Sequence, residues 1–226
     1  MKRLIFLHIL AFMTHFVVAQ NTYIIGFLPQ VNTEISFSDR WKLNTKLEAR
    51  QIITEGHSKN LFNGAGRYER TDLEMIVNRN LGAQSAVGLG YLIRLEEGKF
   101  IHRFIQQYSV VQKFTSFRLA HRFRTDETFE NDEYSIVRAR YRASLEKPLN
   151  GQSVDPKEFY LKLNNEYLLV LEDAIFNLEI RGLAVLGYSF SNKNKMECGF
   201  DYRASELIST DNEQQLWFNL GWYQSF

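Results

Sequence analysis

The sequence predicts an all-β protein whose mature part closes into a single antiparallel up-and-down transmembrane β-barrel. Three observations carry that expectation. Apolar and polar side chains alternate with period two along most of the chain, a short apolar leader precedes them, and the last segment alternates up to a terminal aromatic residue.

The leader is read first. Met1-Lys2-Arg3 is basic, and Leu4 to Val18 is an apolar run broken only by His8, Thr14 and His15. Val17-Val18-Ala19 ends it in small residues before Gln20. This is the pattern of a secretory signal peptide, residues 1–19, cleaved after Ala19. The run is short for a spanning helix, and a buried N-terminal helix is the alternative. No cysteine follows the cleavage point, so no lipoprotein is expected. Residues 20–226 are expected to form one barrel domain in the outer membrane of a Gram-negative bacterium.

Composition agrees with strands. There are 18 Phe, 11 Tyr and 3 Trp but only 3 Pro, a mixture suited to a pleated surface rather than to disorder. Mean hydropathy is that of a soluble protein, but a barrel that alternates lipid-facing and lumen-facing residues hides its apolar half in the average. A formal net charge of +1 gives no reason to expect a nucleic-acid partner. Cys198 stands alone, so no intramolecular disulfide is available, and barrel closure must supply the stability.

The alternation is explicit from residue 41. Trp41, Leu43, Thr45, Leu47 and Ala49 share one face, opposite Lys42, Asn44, Lys46, Glu48 and Arg50, because successive strand side chains point to opposite sides. Val137, Ala139, Tyr141, Ala143 and Leu145 oppose Arg138, Arg140, Arg142, Ser144 and Glu146. Leu178, Ile180 and Gly182 oppose Asn177, Glu179 and Arg181, and Phe200 and Tyr202 oppose Asp201 and Arg203. Turn signals at Ser38-Asp39, Asn78 to Gly82, Glu96-Glu97-Gly98 and Asn192-Lys193-Asn194 separate such runs. Polar stretches at 54–66, 127–133, 146–157 and 204–213 read as longer loops.

Ten runs are clear, at 41–53, 67–78, 84–95, 100–112, 116–126, 134–146, 158–170, 174–190, 194–204 and 214–226. Bacterial single-chain barrels have even strand numbers, so residues 22–37 should supply two short strands, broken near Pro29, or none. Twelve strands are expected, with ten as the alternative.

Alternation alone does not say which face meets water. The C-terminal segment does more: Leu216, Phe218, Leu220, Trp222 and Phe226 form one apolar face. It resembles the C-terminal strand of outer-membrane barrels, which implies that Trp222 and Phe226 are an assembly signal for the outer-membrane insertion machinery. Gln224 departs from that pattern, which commonly has a further aromatic residue there. With apolar faces in lipid, the polar faces line a lumen. Arg118, Arg122 and Arg124 lie on one strand and Arg138, Arg140 and Arg142 on the next. Glu48, Asp72, Glu74, Glu166, Glu179, Arg181 and Asp201 face the same way. Such a network is either an Arg–carboxylate brace for the wall or a selectivity lining for an anionic solute.

At these residues the chain resembles the domain of unknown function 2490 family of predicted outer-membrane barrels. The resemblance is carried by His121-Arg122-Phe123-Arg124 with Asp126 and Glu127, then Arg138-Ala139-Arg140-Tyr141-Arg142 and Glu146-Lys147-Pro148-Leu149. Asn165-Glu166 and the stretch from Arg181 to Tyr188 continue it. It covers most of the mature chain and implies architecture and location, since no activity attaches to the family.

His57, His102 and His121 have no metal-ligand spacing, and one cysteine makes no zinc site. Gly64-Ala65-Gly66 and Gly88-Leu89-Gly90 lack the Lys-Ser/Thr of a phosphate loop; Gly88 and Gly90 instead make room in the barrel interior. His121 shares a face with Phe117, Leu119 and Phe123, as a lipid-side catalyst would, yet no nucleophilic serine motif accompanies it. The expectation is therefore an outer-membrane barrel of unknown role, structural or a narrow solute conduit, with no cofactor or metal. Its partners would be outer-membrane lipid and the assembly machinery. An outer-membrane lipid-modifying enzyme of lipase or deacylase type and a soluble periplasmic ligand-binding β-protein are the alternatives.

Overall fold

The computed structural model describes residues 22–57, 66–129, 135–208 and 212–226. The expected signal peptide, Gly64-Ala65 and parts of three polar loops lie outside them. The described chain is all β, without helices. Its strands are β1 (Thr22–Ser36), β2 (Trp41–His57), β3 (Arg67–Asn80), β4 (Ser85–Glu96), β5 (Lys99–Lys113) and β6 (Arg118–Phe129). They continue with β7 (Ile136–Pro148), β8 (Glu158–Glu172), β9 (Ile175–Ser191), β10 (Asn194–Ser205) and β11 (Glu213–Ser225).

Each strand pairs antiparallel with its sequence neighbours, and β1 closes on β11 in parallel, giving a closed eleven-stranded barrel. Twelve strands were expected, and that number is corrected. Residues 22–36 form one strand, neither two nor none. Pro29, which has no N–H to donate, interrupts only one ladder. The β1–β2 pairing skips Leu28 and Pro29, while the β1–β11 register runs unbroken from Thr22 to Glu34. An odd count of alternating strands forces the first and last to run the same way, so the parallel seam follows from topology. Strands also run further than the sequence suggests: β2 continues to His57, β6 to Phe129 and β7 to Pro148. Residues 54–57, 127–129 and 146–148 are therefore strand, not loop.

Five described turns gather at one end of the barrel, called the C-terminal end because β11 finishes there. The opposite end holds two tight hairpins and the segments joining β2–β3, β6–β7 and β10–β11. Both hairpins place two successive residues at positive φ, Glu97-Gly98 (51° and 77°) and Asp173-Ala174 (46° and 62°). That backbone matches the right-handed twist of the strands it joins.

The burial pattern inverts that of a soluble domain. Large apolar residues are exposed on every strand, among them Leu89 at 60% and Leu163 at 41%. Buried side chains are mostly polar or charged: Glu48, Asp72, Arg94, Arg103, Arg124, Asp126, Glu166 and Arg203. The apolar rows face outward and the ionic rows inward. Aromatic side chains band the outer wall at both ends. Phe159, Tyr188, Phe190 and Trp222 are linked edge to face and by stacking near the C-terminal end. Tyr68, Phe100, Phe129 and Phe176 lie exposed near the other. Inside, two small apolar clusters punctuate the ionic interior: Leu28, Ile52 and Trp217 near the seam, and Ile76, Leu92 and Ile105 on β3–β5. Gly88 and Gly90 do clear interior space. A Cβ on Gly88 would meet Asn78, and one on Gly90 would come within 2.8 Å of the Met75 carbonyl oxygen.

Candidate functional site, an ionic lumen

The period-two pattern sends every second side chain into a confined interior, so charged residues there must pair or be solvated. The barrel pairs most of them. Arg94 grips Asp72 with two hydrogen bonds of 2.8 Å. Arg124 reaches from β6 to Glu74 on β3 with bonds of 2.9 and 3.0 Å, a chord past the two intervening strands. Bidentate forks of this kind fix geometry as well as charge.

Two carboxylates serve several arginines each. Asp126, whose side chain is fully buried, lies 3.2 Å from Arg103, 3.4 Å from Arg138 and 2.9 Å from Arg140. Glu166 accepts the Arg142 Nε at 2.7 Å and lies 3.5 Å from both Arg122 and Arg181. Arg181 also donates to Glu179 on its own strand. Asp201 pairs with Arg203 at 2.7 Å, and Arg50 and Arg203 sit over the Trp217 ring at 5.5 and 5.8 Å. Glu197 collects Lys162 and the Tyr160 hydroxyl, each at 2.9 Å.

Of the residues expected in this network, Arg122, Arg124, Arg138, Arg140, Arg142, Glu166, Glu179, Arg181 and Asp201 all line one interior cavity of about 600 Å³. Arg118 does not line it. It is half-exposed at the start of β6 and pairs with Glu146 at 2.9 Å. Arg94, Lys162 and Glu197, which the alternation already sets opposite the apolar rows, belong to the same interior. Arg103 and Trp217 belong to it too and escaped the sequence reading, since no residue of β5 or β11 had been assigned inward.

The cavity reaches the C-terminal end, where Glu34 and Ser225 border it. A second cavity of about 310 Å³ lies toward the other end, beside Glu96, Glu97 and Lys99. Arg94, Arg103 and Arg138 border both. These three side chains, held by Asp72 and Asp126, form a constriction between the two spaces.

Thirteen Lys and Arg side chains line the larger cavity against seven Asp and Glu, but six of the thirteen pair with Glu69, Glu96, Asp126 or Glu197, which lie outside that lining.

On the outer wall, His121 Nδ1 lies 2.8 Å from the Tyr141 hydroxyl, and His102 Nδ1 lies 2.9 Å from that of Tyr91. Each pair satisfies two polar groups on an apolar surface. Among the described residues, neither imidazole has a serine or a carboxylate as hydrogen-bond partner. Among the described residues, no group of three or more His, Cys, Asp or Glu could hold a metal ion, and Cys198 is free. Among them too, no helix is long and apolar enough to cross a membrane.

One family model, described as "Protein of unknown function (DUF2490)", matches residues 25–220. That span takes in every charged lumen residue described above. No curated protein and no solved structure matches the chain.

Proposed function

The chain belongs to the DUF2490 family, and from that premise we propose that it is an exported outer-membrane β-barrel whose lumen is a narrow ionic conduit for small hydrophilic solutes. The observation that carries this reading is the inverted burial, with exposed Leu, Phe and Tyr outside and ion pairs within. In water such a surface would be an extensive aggregation liability; against hydrocarbon it is the stable arrangement. Strand length supports the same reading. The shortest strands have 12 residues, enough for the roughly 9–11 that a tilted strand needs to cross a bilayer. Aromatic bands at both ends suit the two lipid–water interfaces. Eleven strands depart from the even count of bacterial single-chain barrels, but an odd-stranded mitochondrial barrel shows that such a count can close in a membrane. A leader at residues 1–19 and an assembly signal at Trp222 and Phe226 belong to the same proposal, and lipid and the insertion machinery are its partners.

Fractionation tests it. The protein should sediment with outer membranes, resist extraction by alkaline carbonate and run at a heat-modifiable position on a gel. Reconstituted in a planar bilayer, it should pass small discrete currents. Recovery as a soluble periplasmic protein would overturn the membrane reading, and electrical silence across salts and voltages would overturn the conduit.

A further inference from the structure

Arg122 on β6 and Arg142 on β7 are direct register partners, and so are Arg124 and Arg140 one rung on. Like charges directly opposite each other destabilise a sheet unless something compensates them. Arg124 is compensated by its fork to Glu74. Arg122 and Arg142 share Glu166 with Arg181, and that carboxylate is 2% exposed. Its one short bond goes to the Arg142 Nε; Arg122 makes only the 3.5 Å contact. Among the described residues, the terminal nitrogens of Arg142 make no hydrogen bond, and the buried Arg140 Nε has no acceptor either. All three arginines border the 600 Å³ cavity, a volume in the range of small-molecule sites.

Guanidinium forks with free N–H groups, beside an open space and short of carboxylates, fit the oxygens of a doubly charged tetrahedral anion. We infer that the lumen binds a phosphate-class oxyanion, inorganic phosphate or a phosphate monoester, between Arg122 and Arg142. This rests on the reading of the lumen as accessible to solute. It does not depend on which membrane holds the barrel.

The test is calorimetric titration of the full-length protein, folded in detergent, with inorganic phosphate. Chloride at equal ionic strength serves as the control. Wild type should bind phosphate saturably at one site. Arg122→Gln and Arg142→Gln should each weaken binding about tenfold or more, the ordinary effect of losing a charge-assisted hydrogen bond. Glu166→Gln should strengthen it, because the competing acceptor is gone; damage to the fold would move affinity the other way. Heat-modifiable migration checks that each variant folds. Should one fail, phosphate must still raise the unfolding midpoint of wild type, since a ligand of the native state stabilises it. Glycerol phosphate and a short-chain phosphatidic acid, as competitors, separate a free solute from a lipid headgroup. No saturable binding by wild type, or wild-type affinity in both arginine variants, would overturn the inference. A barrel that stays in the membrane fraction but ignores phosphate refutes this site alone, whereas a soluble protein that binds phosphate refutes only the membrane reading.

Discussion

Trp217 and Gly26 are register partners across the parallel seam between the last strand and the first. The indole, 0% exposed, fills the space that a side chain on Gly26 would need. A Cβ there would lie 2.7 Å from the Gln51 carbonyl oxygen and closer still to the ring. The seam thus closes by exchanging a missing side chain for a large one, with Leu28 and Ile52 packed around it. Gly26→Ala should destabilise the folded barrel by about 1–3 kcal/mol through overpacking. Trp217→Ala should cost about 3–5 kcal/mol through the cavity it leaves. Urea unfolding of the refolded protein, followed by heat-modifiable migration, measures both. Wild-type stability in Gly26→Ala would mean that the seam is looser than described.

Asp126 is the counter-ion of three arginines contributed by β5 and β7. Removing its charge leaves Arg103, Arg138 and Arg140 crowded without compensation, a change that costs about 3–5 kcal/mol when one partner of a buried ion pair is lost. Asp126→Asn should therefore unfold at markedly lower urea, and raising ionic strength should recover only part of the loss because the site is buried. A variant as stable as wild type would show that solvent already screens the cluster.

Arg94, Arg103 and Arg138 form a constriction between the two cavities of the lumen. Arg103 and Arg138 both donate to Thr128, at 2.8 and 2.6 Å, so they act as one latch between β5, β6 and β7. The double substitution Arg103→Ala and Arg138→Ala should widen the constriction between the cavities and raise single-channel conductance above wild type. It should also lower selectivity for anions, measured as the reversal potential in a salt gradient. Unchanged conductance would place the narrowest point elsewhere.

Much of this fold was legible in the sequence because the strand period is so regular. A side chain assigned inward at Glu48, Arg140 or Asp201 stays inward, since slipping by one residue would move a whole ionic row to the apolar face. Strand number was not legible. It turned on whether Pro29 ends a strand, and sequence cannot show that the proline interrupts pairing on one side while β11 pairs continuously on the other. The lumen network was half legible. Alternation told which charges face inward, but the span from Arg124 to Glu74 depends on how the barrel curves, which is a property of closure rather than of any local segment. The concentration of paired charge inside was hidden for a related reason. Near-neutral total charge averages the inside with the outside, and only the closed barrel separates them.

The three tryptophans offer the sharpest test of the claim that the greasy rows meet hydrocarbon. Trp41 and Trp222 are exposed on the outer wall near the C-terminal end, and Trp217 is wholly enclosed within the lumen. Single-tryptophan proteins, made by Trp→Phe changes at the other two positions, can be folded into vesicles of lipids brominated along their chains. Emission from Trp222 should be strongly quenched and emission from Trp217 should be preserved. Equal emission from the two, untouched by bromine, would contradict the membrane account.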